Sequence, residues 1–337
     1  MTRLPLALLD LVPVAAGNTL SAALGHAAAL AAHAEALGFG RYWVAEHHGM
    51  PGIGGAATAV VLAHVGAHTR SIRIGSGGIM LPNHAPLQIA EQFGTLDALH
   101  PGRIDLGLGR APGSDGRVAA ALRHGDPDAF PQQVATLQAL FAGDPRLGFT
   151  AVPGAGADPE LWILGSSTYG AQLAAMLGLP FGFASHFAPG MLDEALAIYR
   201  RLFRPSARLA APRVMVGCNV FAAPTHDEAR FLASSMQQSF VNLRSGTPGL
   251  LPAPREGYWE SLPDHVQAML GQMLSCTAIG TEGEVAAFLA ALVERTGADE
   301  LIIGGAMHDP LARQRSMTIA RAAADRVRGR EPRRRRC

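Results

Sequence analysis

The sequence predicts a single (β/α)8 barrel. Three observations carry that reading: eight short apolar runs recur along the chain, stretches of helical spacing separate them, and no shift in composition divides the 337 residues. The runs fall at residues 5–9, 41–45, 72–80, 104–108, 161–164, 181–184, 213–221 and 300–303. Buried parallel strands read as continuous apolar runs, and their crossovers require helices. Helical spacing covers residues 20–37, 57–68, 86–99, 130–141, 168–177, 191–203, 226–241 and 282–296. Gly38 and Gly178 stand just past helix ends, while Thr225 before Asp227 and Glu228, and Thr281 before Glu282 and Glu284, read as helix starts. The alternation is interrupted twice. One insertion follows the fourth strand over about 112–150 and carries Gly113-Ser114-Asp115-Gly116. The other lies between the seventh and eighth strands, from 243 to 280, with Pro248, Pro252 and Pro254 near its start. Each reads either as a lid over the barrel mouth or as a plain surface excursion. The barrel is expected over 1–328, with 329–337 as a solvated basic tail.

Composition narrows the function classes. Hydrophobic residues make up 48% of the chain and the net charge is +1, so neither disorder nor bulk attraction to nucleic acid or membrane is expected. Every basic residue is Arg, and the absence of Lys excludes Schiff-base chemistry and a P-loop. Cys218, Cys276 and Cys337 suit neither a disulfide framework nor a zinc site, which makes a reducing cytoplasm the default. The apolar stretch at 4–9 is too short for a signal peptide, and His33 and Glu35 break the run at 27–37, so no membrane span is expected.

The polar residues at the carboxyl ends of the runs are the candidate site, because such ends build the active sites of these folds. Glu46-His47-His48 follows the second run. A His there can work as acid or base near neutral pH, or can cap the strand and bond backbone. Too few further His or carboxylate ligands follow the other strands to make a metal site. Gly75-Ser76-Gly77-Gly78 interrupts the third strand, which fits either a flat ring lying against the backbone or a bulge. Arg110 ends the fourth strand, and Gly165-Ser166-Ser167-Thr168 ends the fifth and opens a helix. An Arg fork beside a hydroxyl-rich helix start suits phosphate, whereas Ser or Thr alone would be ordinary capping. Gly107-x-Gly109 lacks the third glycine and the downstream acid of a dinucleotide fingerprint.

Read together, residues 37–48, 74–82, 90–92, 96–97, 102–110 and the Gly280-Thr281 segment resemble the bacterial luciferase-like flavin monooxygenases, most of all the branch serving antibiotic biosynthesis. The resemblance is dense over the first third of the chain and thins beyond Thr168. It implies that His47 assists the oxygen chemistry of a reduced flavin. It implies a non-proline cis peptide at Gly77–Gly78 against which the isoalloxazine stacks, and phosphate contacts from Arg110, Ser166 and Ser167. Glu91 matches a carboxylate near a subunit interface, which implies a homodimer through the early helices. Three positions depart from the light-emitting members: Gly109 replaces a reactive Cys, Gly165 replaces a Glu, and Tyr169 replaces a Thr. Light emission with a long-chain aldehyde is therefore not expected.

The resulting expectation is a two-component monooxygenase. Reduced FMN would come from a separate flavin reductase, since no nicotinamide fingerprint is present. With O2 it would oxygenate a small organic substrate in a pocket that includes Leu9, His48, His186 and part of the 243–280 insertion. A deazaflavin-dependent hydride-transfer enzyme and a non-catalytic flavin-binding protein are the alternatives on the same fold.

Overall fold

Eight parallel strands close on themselves. The structure, a computed structural model, describes residues 3–122 and 124–327. The barrel strands are β1 (Leu6–Asp10), β2 (Arg41–Val44), β3 (Arg73–Met80), β4 (Ile104–Gly109), β5 (Glu160–Gly165), β6 (Phe181–Phe183), β7 (Val214–Ala222) and β9 (Glu300–Gly304). They pair in chain order, β9 joins β1 to β7, and a β6–β7 pairing closes the ring. All eight expected strands are present, so the fold class read from the sequence holds. A ninth strand, β8 (Thr277–Gly280), was not anticipated. It pairs with Asn219–Ala222 and prolongs the wall beyond the end of β6.

The helices are α1 (Leu20–Ala36), α2 (Thr58–Ala67), α3 (Pro86–Leu99), α4 (Gly116–Ala121), α5 (Phe130–Ala142), α6 (Thr168–Leu177) and α7 (Leu192–Leu202), followed by α8 (His226–Arg244), α9 (Asp264–Met273), α10 (Glu282–Thr296) and α11 (Pro310–Asp325). The predicted starts and stops are seen. Thr225 caps α8, Thr281 and Glu284 form a reciprocal capping box on α10, and Gly178 ends α6 in the left-handed region. Two features correct the sequence reading. The final helix α11 was missed because its buried face includes Arg313, Ser316 and Arg321, which hide the apolar period. And α8 does not serve as the outer helix of the seventh unit. Its Leu232, Ala233 and Met236 join Phe221, Ala223 and Met307 in a separate apolar cluster, whereas Val285, Leu289 and Leu292 of α10 enter the main core.

With α9 and the segment between them, α8 forms a cap over the carboxyl end of the barrel. Leu251 donates its amide to the Val14 carbonyl at 2.9 Å, and Ala16 donates to the Leu251 carbonyl at 2.8 Å. Phe240 of α8 lies 6.0 Å from Phe187, in the loop after β6. The later insertion therefore reaches across loops from β1 and β6, which settles its reading as a cover. The basic tail expected at 329–337 lies outside the described residues.

The amino half of the barrel interior is filled. The Arg41 guanidinium donates to Asp105 at 2.6 Å, to Glu160 at 2.9 Å and to Glu300 at 3.1 Å. Arg213 bonds the other oxygens of Glu160 and Glu300, and Arg73 bonds Asp105. Above this layer Trp43 and Trp162 meet edge to face, with centroids 5.4 Å apart, and the Trp43 indole donates to Asp105 at 2.8 Å. Replacing Arg41 with Met leaves the surrounding carboxylates without their central cation, and stripping one member from a buried ion cluster costs about 3–5 kcal/mol. Urea denaturation of Arg41→Met is expected to show that loss; an unshifted midpoint would mean the layer contributes nothing net.

Candidate active site

The open end of the barrel is organised around one buried carboxylate. Glu46, just past β2, accepts from His48 Nε2 at 2.7 Å, His84 Nε2 at 2.9 Å, the Met80 amide at 3.0 Å and Asn83 Nδ2 at 3.2 Å. Asn83 also donates to the Pro112 carbonyl and bonds His124, so the loops after β2, β3 and β4 share one network. Burial opposes ionisation of Glu46, yet the bonds from His84, His48 and Met80 outweigh it and hold the carboxyl below its usual range. Sequence reasoning missed this node, although the Glu-His-His run lay beside it. The signal was a carboxylate where a buried strand ends, which requires donors nearby.

His48, expected in the substrate pocket, is thus occupied by Glu46. His47 is free. Its Nδ1 is buried with no partner among the described residues. Burial lowers its pKa, with the Gly113 backbone and Glu46 opposing, which favours the neutral imidazole. His186 stands close enough to His47 for the charge of His47 to disfavour its own. Its Nδ1 is likewise buried and unpartnered. The ring crosses the inner face of β7 at Gly217, where a Cβ would lie 2.4 Å from that nitrogen. The structure therefore brings two neutral, half-buried imidazoles together, one from the β2 end and one from the β6 end.

On the adjacent wall the Gly77–Gly78 peptide is cis. A Cβ on Gly77 would come within 2.7 Å of Leu9 Cδ1, and one on Gly78 within 2.5 Å of the Gly107 carbonyl oxygen. Leu9 is buried under Gly77 among Trp43, Trp162 and Ile302, so it forms part of the floor. Arg110 lies at the end of β4, its guanidinium 3.9 Å from the centroid of the Tyr169 ring. Ser166 and Ser167 immediately precede α6, the helix that carries Tyr169 in its first turn. Ser167 occupies the N-cap position but makes no capping bond through its side chain. Among the described residues Arg110 has no carboxylate partner, and the hydroxyls of Ser166 and Ser167 are unclaimed. Through Tyr169 the Arg110 cation is thus brought beside the turn that carries Ser166 and Ser167. No cluster of His, Cys, Asp or Glu suited to a metal ion is found among the described residues.

An eight-stranded barrel with a basic, hydroxyl-bearing turn on one side of its mouth and two imidazoles on the other defines a class: a (β/α)8 barrel whose polar residues gather at the carboxyl end. The particular family follows from comparison. The profile of the luciferase-like monooxygenase family matches residues 5–300, and the chain belongs to that family. It is 50% identical over 317 residues to a luciferase-like monooxygenase of Escherichia coli K12, covering 93% of this chain and 95% of that one. The crystal structure of apo-MsnO8 is similar at a TM-score of 0.86 and 32% identity, over 97% of this chain and 100% of that chain. The fold is also that of the oxygenating constituent of 3,6-diketocamphane monooxygenase from the CAM plasmid of Pseudomonas putida, solved with FMN, at a TM-score of 0.74 and 15% identity, covering 98% and 100% of the two chains.

The histidine pair makes stability depend on pH in a defined direction. Burial, then the charge of His47, pushes His186 from 6.5 down to about 4. Above pH 6.5 the ring is neutral in both folded and unfolded chains and contributes no pH dependence. As pH falls toward 4 the unfolded chain takes the proton first, so folding stability drops until the folded ring also protonates. Over that window the native protein is expected to lose on the order of 2 kcal/mol more than His186→Asn, the full shift being reduced by the ring's partial exposure. Parallel stability-versus-pH curves for the two proteins would contradict the assignment.

Proposed function

We propose that this chain is the oxygenating component of a two-component system, using reduced FMN and O2 to oxygenate a small organic substrate. The observation that carries the reading is the convergence of Arg110, Ser166 and Ser167 beside Tyr169, a built grip for a phosphate with no competing protein anion. The residues present fit FMN. Gly77 and Gly78 offer a strand face without Cβ atoms, and the phosphate grip lies on the neighbouring strands β4 and β5. When bound, reduced FMN supplies two electrons and the position at which O2 is activated.

The chain's own residues do the rest. Arg110 would hold the phosphate through its guanidinium, and the Ser166 and Ser167 hydroxyls with the first amides of α6 would supply further donors. His47, neutral and unpartnered, can accept or return one proton at Nδ1, and His186 can bond a polar atom of the substrate from across the mouth. Glu46 positions His48 and His84, which leaves His47 directed elsewhere. The cap of α8 and α9 excludes water, which keeps these interactions strong.

The reading extends to partners and compartment. A separate reductase would deliver the flavin. A homodimer through α2 and α3 is supported by the exposed Val60 and Leu99 on those helices, with Glu91 on α3. A cytoplasmic location is in keeping with the buried free thiols of Cys218 and Cys276, and no described helix is long and apolar enough to cross a membrane.

Two measurements test the reading. Arg110→Met is expected to weaken FMN by about 10- to 100-fold while leaving riboflavin, which lacks the phosphate, within about twofold. Equal loss for both ligands would remove Arg110 from the phosphate site. In the second, photoreduced FMN, O2 and a panel of small substrates are supplied to the protein and to His47→Ala. Product formation is expected to fall by about 100-fold or more in the variant at unchanged FMN affinity. A deazaflavin bound in preference to FMN would replace oxygenation with hydride transfer.

A further inference from the structure

The cap contains a cavity of its own. It has a volume of about 810 Å³ and lies between α8, the 255–260 strap, α9 and β8; none of the site residues described above lines it. That volume falls within the range of small-molecule sites, roughly 300–1,000 Å³. Its apolar walls are Phe231, Tyr258, Trp259, Leu274 and Ile279. The strap is fixed to α8: Arg230 pairs with Glu260, and the Arg255 amide donates to Ser234 Oγ at 2.8 Å.

One polar group inside it has no protein partner. Gln237 is only 6% exposed, lines the cavity, and makes no hydrogen bond among the described residues. Its carboxamide opens onto the cavity rather than being sealed in the protein, so it is available to a ligand that supplies an acceptor or a donor. The lining carries both signs, Asp227, Glu228, Glu256 and Glu260 with Arg230 and Arg255, so it does not select an ion of one sign. An anion would meet Asp227 and Glu256, and a cation would meet Arg230 and Arg255. On α9, Gly271 faces the space, and a Cβ there would find nothing within 4 Å.

The cavity borders the barrel mouth. Thr277 lines it, and Asn219 donates to Thr277 Oγ1 at 3.3 Å and to the His186 carbonyl at 2.8 Å. We propose that this cavity binds a neutral, largely apolar molecule carrying one hydrogen-bonding group, held by Gln237 between aromatic walls, and that such molecules are the substrate class. Only the word substrate rests on the monooxygenase reading; the binding site stands on its own geometry.

The test uses flavin-free, full-length protein labelled with 5-fluorotryptophan, whose three tryptophans give three fluorine resonances. Trp43 and Trp162 lie in the barrel interior and only Trp259 borders the cavity, so the signals report location. The probes are 1-indanone, which carries a carbonyl, and indane, which does not. Saturable movement of the Trp259 resonance alone is expected with 1-indanone. Gln237→Leu is expected to weaken 1-indanone about tenfold and indane by less than twofold, the effect of one lost hydrogen bond. Gly271→Leu, which fills open space and favours the helix, is expected to abolish both responses. A Trp259 signal that does not saturate, or that survives Gly271→Leu, overturns the proposal, as does equal weakening of both probes in Gln237→Leu. A Trp259 response in protein that fails to bind FMN supports the site while removing the flavin reading.

Discussion

The constraint on which the rest depends is that the barrel has no room at its amino end. Arg41, with three carboxylates around it and Arg73 and Arg213 outside them, fills the cross-section there, and the two indoles of Trp43 and Trp162 fill the layer above. Such buried charge is tolerated because each carboxylate meets at least one guanidinium. All remaining freedom is thereby displaced to the carboxyl end. There the inward positions of neighbouring strands become glycines or stop short, and side chains from the loops take over. Position 77 of β3 illustrates the handover: beneath it Leu9 closes the interior, and above it the backbone is bare.

Adjacent residues at the mouth then take opposite tasks. Glu46 turns into the protein and gathers donors from two loops, which makes it a structural anion; its neighbour His47 keeps an unpaired nitrogen. The division explains why a network as expensive to bury as Glu46 with its imidazoles sits next to an unpaired ring nitrogen. A well-satisfied polar cluster is rigid, and rigidity beside a free imidazole fixes where that imidazole points. Arg110 is treated in the same way by different means, since an aromatic face holds its plane without neutralising its charge.

Much of this was legible in the residues. The strand and helix pattern was readable because parallel strands are apolar throughout and the caps at Thr225, Thr281 and Gly178 are local signals. The meeting of Arg110 with the Ser166–Ser167 turn was readable because consecutive strands of such a barrel are neighbours, so the ends of the fourth and fifth runs must meet. Long-range polar partnerships left no such trace. Arg313 and Arg321 make α11 look like a surface helix, since their partners lie near the other end of the chain. β8 has only four residues and gains its identity from β7. The helix at α8 was visible but its position was not, because spacing reports which face is apolar and is silent on what covers it. Gln237 offered nothing in sequence; its lack of partners exists only once the cap is assembled.

The contact between Asp10 and Arg313 spans 303 positions, from the last residue of the first strand to the final helix. Asp10 also receives the Tyr42 hydroxyl and the Val12 amide, so this single carboxylate shapes the turn on which the cap's Leu251 segment rests. A ribosome delivers its guanidinium 303 residues after the carboxylate. Until then enclosing Asp10 would leave an anion without the cation that balances it, so the entrance to the barrel waits for α11. Loss of α11 would therefore be felt 303 positions away, at the end of the first strand.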